Sequence, residues 1–338
     1  MKIALNLEAA SWLGGTYYLR NLALALRAHA PSVEIVTVGA PSPAFADLAA
    51  NEPAVPPDAD VVFPNWGLRR SVPAAEIHWI PDLQHRALPG NFGLVDRLRR
   101  DRGYRRLAAR ARLVVVSSEV ARAEAARAYP RWASKLRVVH FASSSQPEGE
   151  DPGPVLARLG LPERFLLLPN QFWAHKNHRT AFAAVPELEL PLVCTGETAD
   201  PRRPEYFREL ESSLAATGLA ERVRILGVLE RSDYLALVRA APALVQPSLF
   251  EGWSSTVEDA KAYGRPIALS DIPVHREQAP PLAQYFEALD PHDLARAAAA
   301  AAATLPLAPE EARRRQAERS ARYAERFLEV AREAVSSR

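Results

Sequence analysis

Two acidic positions lie close to a predicted helix start in residues 248–266, whose sequence is SLFEGWSSTVEDAKAYGRP. Glu251 follows the apolar run 243–245 in a glycine-containing loop, and the helix that comes next carries Glu258 and Asp259. In open α/β sheets, a helix that starts at the carboxyl end of a strand binds anions with its free backbone amides. Carboxylates beside such amides accept hydrogen bonds from hydroxyls, so the segment predicts a sugar-nucleotide site.

The start and the end of this helix are predicted from its own residues. Ser255 and Glu258 have the spacing of a capping box, in which each side chain bonds a backbone amide near the other. Gly264 and Pro266 mark the end of the helix two turns later. We therefore expect Glu258 to cap the helix rather than to bind the ligand.

A second loop predicts a phosphate site. The apolar run 165–168 is followed by PNQFWAHKN, in which Lys176 precedes Asn177, a residue type suited to the N-cap of the next helix. A lysine beside a helix N-terminus adds its ammonium charge to the positive end of the helix dipole, and both attract a phosphate. Because Lys176 is one of very few lysines in an arginine-rich chain, we favour phosphate binding over an exposed loop lysine.

Residues 251–259 resemble the acidic signature of family-four retaining glycosyltransferases of the GT-B fold: a Glu, seven intervening residues and a second acid that opens a helix. Glu251 takes the first place and Asp259 the second. The resemblance implies that Glu251 bonds hydroxyls of the transferred sugar and Asp259 those of the ribose, while Glu258 stays open as the alternative for the ribose. It further implies that the donor is lined by Gly252, Trp253, Ser254 and Ser255, and that backbone groups around Gly227 and Leu229 contact the base.

One position departs from the family pattern. The family commonly has an Arg five residues before the lysine of the phosphate loop, where this chain has Gln171. The departure leaves Lys176 as the cation for the donor diphosphate, or moves part of that role to His175, Arg179 or backbone amides. Gln171 itself is expected to line the donor site.

Candidate residues in the first half of the chain lie in two loops. Gly14 and Gly15 follow the first apolar run and precede a helix predicted from about Tyr17, and paired glycines let a backbone approach a donor phosphate closely. The sequence HWIPDLQH at 78–85 resembles a family segment that faces the acceptor, which implies a catalytic role for Asp82 or His85. A lone histidine is more often structural, and that alternative stays open.

Short apolar, β-branched runs alternate with helical patterns, which predicts an α/β fold with parallel strands buried on both faces. A Pro- and Gly-rich stretch at 146–154 separates two sets of runs. The first set is 3–7, 33–38, 61–63, 77–80, 113–116 and 136–139, and the second is 165–168, 192–195, 223–226, 243–245 and 267–269. With the resemblance, this predicts the GT-B fold, in which two doubly wound Rossmann-like domains face each other across a cleft.

The length of 338 residues and the 48% hydrophobic content suffice for two domain cores. We expect an acceptor-side domain at 1–150 and a donor-binding domain at 155–314. Residues 41–57 are predicted to form a surface loop, and 294–303 and 309–335 to form helices. The resemblance implies that the C-terminal helix, at about 315–338, packs back onto the first domain.

Composition narrows the class of partners. A net charge of +2 gives no case for nucleic acid, and the single cysteine, Cys194, excludes an internal disulfide. Residues 1–7 are too short and too interrupted for a secretory signal, so we expect a cytoplasmic protein. Eight arginines between Arg97 and Arg112 predict a basic helix face, which is either solvated or in peripheral contact with the inner face of a membrane.

The resemblance thus implies a bacterial retaining glycosyltransferase of polysaccharide biosynthesis. It would move a hexose, such as mannose or glucose, from a nucleotide diphosphate sugar to a saccharide or lipid-linked saccharide acceptor. We expect no cofactor and no metal, because Lys176, the helix N-termini and the glycine pair would stabilise the leaving diphosphate. The alternatives on the same scaffold are a degenerate subunit that only binds the nucleotide sugar, a sugar-nucleotide epimerase and a phosphorylase.

Overall fold

A computed structural model describes residues 1–7, 13–68, 70–144, 149 and 151–337. The chain divides into two compact units. The first unit comprises the described parts of 1–86, 94–144 and 317–338, and the second comprises 87–93 with the described part of 145–316.

The described strands of the first unit form one parallel sheet of seven strands in the order β3-β2-β1-β4-β5-β6-β7. These strands are β1 (Lys2–Asn6), β2 (Glu34–Val38), β3 (Ala50–Glu52), β4 (Val61–Phe63), β5 (Ala75–Ile80), β6 (Leu113–Val116) and β7 (Leu136–Val138). The helices of this unit are α1 (Leu13–His29), α2 (Gln84–Ala87), α3 (Leu94–Arg110) and α4 (Glu119–Ala128). The strand order reverses between β1 and β4.

The described strands of the second unit form a parallel sheet of six strands in the order β10-β9-β8-β11-β12-β13. They are β8 (Leu166–Pro169), β9 (Leu192–Thr195), β10 (Val223–Ile225), β11 (Ala243–Gln246), β12 (Ile267–Ser270) and β13 (Ala283–Phe286). The helices are α5 (Gly153–Leu159), α6 (His178–Ala184), α7 (Tyr206–Thr217), α8 (Arg231–Ala240), α9 (Ser255–Ala262), α10 (Pro273–Gln278) and α11 (Pro291–Ala303). Two apolar layers cover the faces of this sheet.

The predicted apolar runs are confirmed as strands to within two residues, because a parallel strand covered on both faces must be apolar throughout. Two strands were missed. β3 lies inside the predicted loop 41–57, and its sequence, ANE, has no apolar run and is exposed or half-buried at the sheet edge. β13 is the edge strand next to β12 in the sheet of the second unit, and three of its four residues are half-buried. These two edge strands carry little hydrophobic signal, whereas the other two edge strands, β7 and β10, were predicted from their apolar runs.

The last helix, α12, runs from Pro309 to Ser336, and its part from Ala317 onward belongs to the first unit. Phe327 is fully buried there, with its ring 4.9 Å from that of Phe63 in β4. Glu333 forms an ion pair with Arg137 of β7. The chain end is therefore integral to the core of the first unit.

Two further features bear on the sequence predictions. Residues 146–148 and 150 of the predicted linker lie outside the described residues, and its last two residues, Gly153 and Pro154, already begin α5. Cys194 is fully buried in β9, where burial raises the pKa of its thiol, as expected of a small core residue. Across the part of the chain that the structure describes, the helices are too short or too polar to span a bilayer.

Candidate functional site

The strand order of the second unit reverses between β8 and β11. Loops that leave neighbouring strands on opposite sides of such a point open a crevice at the carboxyl edge of the sheet, where α/β proteins bind ligands. Lys176 lies in the loop after β8, in one turn of 3-10 helix, and Glu251 lies in the loop after β11. Their side chains meet, with Lys176 Nζ 2.6 Å from Glu251 Oε1.

Strand ends hold this ion pair in place. Gln246, the last residue of β11, donates from Nε2 to Glu251 Oε1 at 2.9 Å and accepts at Oε1 from Asn170 Nδ2 at 2.7 Å. The side chains of Lys176 and Glu251 are 15% and 9% exposed. A half-buried, hydrogen-bonded pair is held in position, so the crevice presents an ammonium donor next to a carboxylate acceptor. That combination binds anionic oxygens and hydroxyls side by side.

The helix after Glu251 starts one residue earlier than predicted. Ser254 is the N-cap of α9, and its Oγ accepts from the amide of Val257 at 3.4 Å. Ser255 is the first helical residue and is exposed, so the predicted capping box of Ser255 with Glu258 is wrong. The side chain of Gln278 in α10 holds the cap instead, bonding both the amide and the carbonyl of Ser254 at 3.0 Å.

The two acids of α9 belong to different networks. Glu258 is fully buried and accepts from Lys261 at 2.8 Å and from Gln278 at 3.0 Å, so it joins α9 to α10. Asp259 accepts from both terminal nitrogens of Arg231, at 2.8 and 3.0 Å, and from the hydroxyl of Tyr234 at 2.9 Å. Asp259 thus joins α9 to α8.

Residues 158–322 match the family model described as glycosyl transferases group 1. This segment belongs to the group 1 glycosyltransferases. No curated protein matches it in sequence. Solved structures of low identity share the fold over nearly its whole length, and they include a sucrose-phosphate synthase from Thermosynechococcus elongatus (19% identity, TM-score 0.66, covering 98% of this chain and 96% of that chain).

Two further structures are similar to this glycosyltransferase. HepE of Anabaena, in complex with UDP and glucose, has 16% identity and a TM-score of 0.68, with 97% of this chain and 98% of that chain covered. A glycosyltransferase from Rickettsia africae has 12% identity and a TM-score of 0.69, with 100% and 99% covered. The predicted family and the predicted GT-B fold are both confirmed.

Glycines shape the same sheet edge in this glycosyltransferase. Gly196 follows β9 with a φ of 131°, and a Cβ there would lie 2.5 Å from the carbonyl oxygen of Asn170. Its amide donates to the carbonyl of Gly227 after β10 at 2.8 Å. Gly227 has a φ of 69°, and the position of its absent Cβ faces open space. Any residue with a Cβ is strained at these positive φ angles, so both loops need glycine.

Other residues predicted for the donor site lie around these loops. Gln171 and Leu229 are half-buried, one after β8 and the other after β10. In the loop after β11, Gly252 is buried and Trp253 is half-buried. These positions place all four on loops at the carboxyl edge of the sheet.

Asn177 occupies the predicted position immediately before α6, yet its side chain does not cap the helix. Its Nδ2 donates to the carbonyls of Pro247 and Ala288, at 3.0 and 2.7 Å, which joins the loop after β8 to the one after β11. His175 is buried, and burial, followed by the charge of Lys176, keeps its pKa well below 6.5. A neutral imidazole adds no positive charge for a diphosphate.

The glycine pair of the first unit lies within a helix. Gly14 and Gly15 belong to the first turn of α1, so the prediction of a glycine loop that ends before a helix at about Tyr17 is wrong. Their amides still lie near the N-terminus of a helix that follows β1, beside the reversal point of the first sheet. Such amides bind anions as a loop would.

Asp82 and His85 take part in local bonding of the first unit. Asp82 Oδ1 accepts from the amide of Gln84 at the start of α2, and its side chain is half-buried. His85 is buried, with Nε2 2.9 Å from Asp101 Oδ1. Burial alone would raise the pKa of Asp101, but hydrogen bonds from Tyr129, His85 and Arg86 lower it to about 2. The structure thus gives His85 an anionic partner within its own unit.

Sequence reasoning missed Asn170, Gln246, Arg231, Tyr234 and Gln278. Asn170 and Gln246 had a usable signal, because each is the first polar residue at the end of an apolar strand run. Among the described residues, no group of three His, Cys, Asp or Glu side chains is placed to hold a metal ion.

Proposed function

We propose that this glycosyltransferase transfers a hexose, with retention of anomeric configuration and without a metal, from a nucleotide diphosphate sugar to a saccharide or lipid-linked saccharide acceptor. The supporting observation is the pair of Lys176 and Glu251 at the reversal point of the second sheet. HepE has been crystallised with UDP-glucose, so a UDP-linked hexose is the first candidate donor. GDP- and deoxythymidine-linked sugars follow it.

The proposed mechanism follows from where charge develops. As the bond from the anomeric carbon to the diphosphate breaks, that carbon gains positive charge and the leaving phosphate gains negative charge. Lys176 donates to the leaving phosphate, and such stabilisation of developing charge usually contributes more to catalysis than any other single effect. Glu251 accepts hydrogen bonds from hydroxyls of the transferred sugar and holds Lys176 in place.

Retention is proposed through attack on the same face of the sugar. The acceptor hydroxyl forms the new bond to the anomeric carbon on the side that the diphosphate leaves, and its proton passes to the departing phosphate oxygen. No side chain forms a covalent intermediate in this scheme. Asp82 and His85 remain proposed catalytic residues on the acceptor side.

Replacing Lys176 with Met tests the proposal. We expect turnover of the best sugar nucleotide to fall on the order of a hundredfold or more, because the leaving charge loses its donor. Lys261→Met is the matched control. That lysine forms a second Lys–Glu pair in the same unit, with the buried Glu258 at 2.8 Å, and its loss should lower stability while most turnover is retained.

Product analysis distinguishes the alternatives. Donor conversion without any acceptor would indicate an epimerase, and phosphate-dependent donor cleavage would indicate a phosphorylase. Donor binding without turnover across a broad acceptor panel would indicate a degenerate subunit. Unchanged turnover in Lys176→Met would contradict the proposed mechanism directly.

We also propose that α3 contacts the anionic inner face of a bacterial membrane during polysaccharide synthesis. Leu94, Val95 and Leu98 in its first two turns are 67%, 79% and 61% exposed, which is unusual for large apolar side chains. The exposed basic residues farther along the helix are Arg99, Arg102, Arg105 and Arg106. An apolar edge beside a basic face is the pattern of helices that lie on anionic bilayers.

Vesicle flotation tests the membrane contact. The wild type should float with vesicles that contain phosphatidylglycerol and remain behind with pure phosphatidylcholine. Arg105→Glu/Arg106→Glu should weaken that binding about tenfold or more, since each basic residue near an anionic surface contributes about 1 kcal/mol. Arg208→Glu/Arg314→Glu makes the same change in net charge on exposed residues of α7 and α12 and should leave flotation intact. If both double variants lost vesicle binding to the same extent, a specific role for α3 would be contradicted.

A further inference from the structure

A cavity of about 410 Å³ lies at the amino edge of the sheet of the first unit. Its lining includes Ala75, the first residue of β5, together with Arg112 and Lys135, which immediately precede the neighbouring strands β6 and β7. Asp82 and His85 follow the end of β5, so the cavity lies at the opposite edge of the same sheet. A cavity of this size can hold a small molecule, away from the proposed catalytic residues of this unit.

Three cationic side chains line the cavity, namely Arg110, Arg112 and Lys135. The acid in the lining is Glu76, whose Oε1 accepts from Arg110 at 2.8 Å and whose Oε2 accepts from Asn65 at 3.0 Å. Each oxygen of this carboxylate therefore already has a donor, and its charge neutralises that of Arg110. Among the described residues, Arg112 and Lys135 have no carboxylate partner, so the cavity carries excess positive charge.

Backbone carbonyls hold these two cations beside the cavity. Lys135 Nζ donates to the carbonyls of Ala108 and Ala111, at 3.2 and 2.7 Å, and thereby caps the end of α3. Arg112 Nη1 donates to the carbonyl of Ser337 at 3.2 Å. Because an ammonium has three N–H donors and a guanidinium has five, both retain donors for a ligand. Burial, followed by the charge of Arg112, lowers the pKa of Lys135, as expected of two cations that repel each other.

The two side chains together suit a phosphate group. A guanidinium offers a planar fork to two oxygens, and an ammonium adds a compact charge to a third. A phosphate monoester carries between one and two negative charges near neutral pH and has three strong acceptor oxygens. Bound between Arg112 and Lys135, it would remove their mutual repulsion, whereas a carboxylate would supply a single charge and two oxygens.

We propose that this cavity is an anion site in which Arg112 and Lys135 bind the phosphate group of a small phosphorylated compound or of a lipid headgroup. The site is separate from Lys176 and Glu251, because all of its lining residues belong to the first unit. It does not depend on the proposed reaction, so either proposal can fail without the other.

Titration calorimetry with inorganic phosphate and with pyrophosphate, at constant ionic strength, tests the site on the full chain. The titrations use Lys176→Met as the background, so that a diphosphate site at Lys176 does not contribute. We expect saturable binding in this background. Adding Arg112→Met or Lys135→Met should weaken it about tenfold or more, the range expected for hydrogen bonds between charged groups. If neither anion bound saturably, the proposal would be overturned.

Arg131→Met is the matched control, because Arg131 is an exposed cation of the same 3-10 segment as Lys135 and lies outside the lining of the cavity. It should leave anion binding unchanged. Equal weakening by Arg131→Met and Arg112→Met would overturn the proposal, since binding would then follow net charge alone. Lys135→Met also removes the cap of α3; if that variant does not fold, Arg112→Met decides, because its exposed side chain bonds only one carbonyl among the described residues.

Vesicle flotation distinguishes the two sources of the phosphate group. If a lipid headgroup occupies the cavity, Arg112→Met should also weaken flotation with vesicles that contain phosphatidic acid, by about tenfold relative to Arg131→Met. If the ligand is a soluble phosphorylated compound, Arg112→Met should weaken calorimetric binding and leave flotation equal to that of Arg131→Met. Both results support the site and differ only in what delivers the phosphate.

Discussion

His178 makes the stability of the second unit depend on pH. The imidazole is fully buried at the start of α6 and stacks on Phe172, with ring centres 4.1 Å apart. Burial lowers the pKa of His178 from 6.5 to about 3. Between these values the unfolded chain binds a proton on this residue and the folded chain does not. The free energy of unfolding must therefore fall as the pH drops from 6.5 towards 3.

The magnitude follows from the two pKa values. At pH 7 both states are nearly unprotonated, whereas at pH 5 the imidazole of the unfolded chain is almost fully charged. The linkage between proton binding and unfolding lowers the free energy of unfolding by about 2 kcal/mol between pH 7 and pH 5 from His178 alone. In His178→Phe the ring is retained for stacking on Phe172 and the titrating group is removed. The variant should lose about 2 kcal/mol less than the wild type over this interval.

Urea unfolding, followed by tryptophan fluorescence at pH 7 and pH 5, measures this difference. Phe182→Leu is the control, because it disturbs the same cluster without altering a titratable group. It should lower stability by similar amounts at both pH values. If the free energy of unfolding fell by the same amount from pH 7 to pH 5 in the wild type and in His178→Phe, the reasoning would be refuted. The folded state would then bind the proton on His178 as readily as the unfolded chain does.

Three further predictions concern the fold that supports the site. Gly196→Ala should lower stability by about 1–3 kcal/mol and weaken nucleotide binding, because its Cβ would meet the backbone of Asn170; urea unfolding and calorimetry check both effects. Ser254→Ala should cost about 1 kcal/mol through the lost N-cap, whereas Ser255→Ala should cost little, and urea unfolding compares the two. Phe327→Ala should cost about 3–5 kcal/mol in the same assay, and a cost below about 1 kcal/mol would contradict a core role for α12.

Patterns local in sequence predicted much of this fold. The buried strands were identified because both of their faces are covered, so each is a continuous apolar run. Of the four edge strands, β7 and β10 were identified from apolar runs, whereas β3 and β13 were not, because most of their residues are exposed or half-buried. The helix after Glu251 was placed correctly, yet its cap was assigned one residue late. A neighbouring helix supplies Gln278 to hold Ser254, and no local spacing records that contact.

The sequence by itself determined which residues belong to the candidate site. Lys176 and Glu251 follow from residue types within their loops, and Asp259 was singled out by the resemblance to the family's acidic signature. Their partners were decided by the tertiary structure, because strand order determines which loops share an edge. The reversal between β8 and β11 places Lys176 next to Glu251 across 75 residues. The packing of α8 beside α9 pairs Arg231 with Asp259, a contact across 28 residues that no spacing within one loop records.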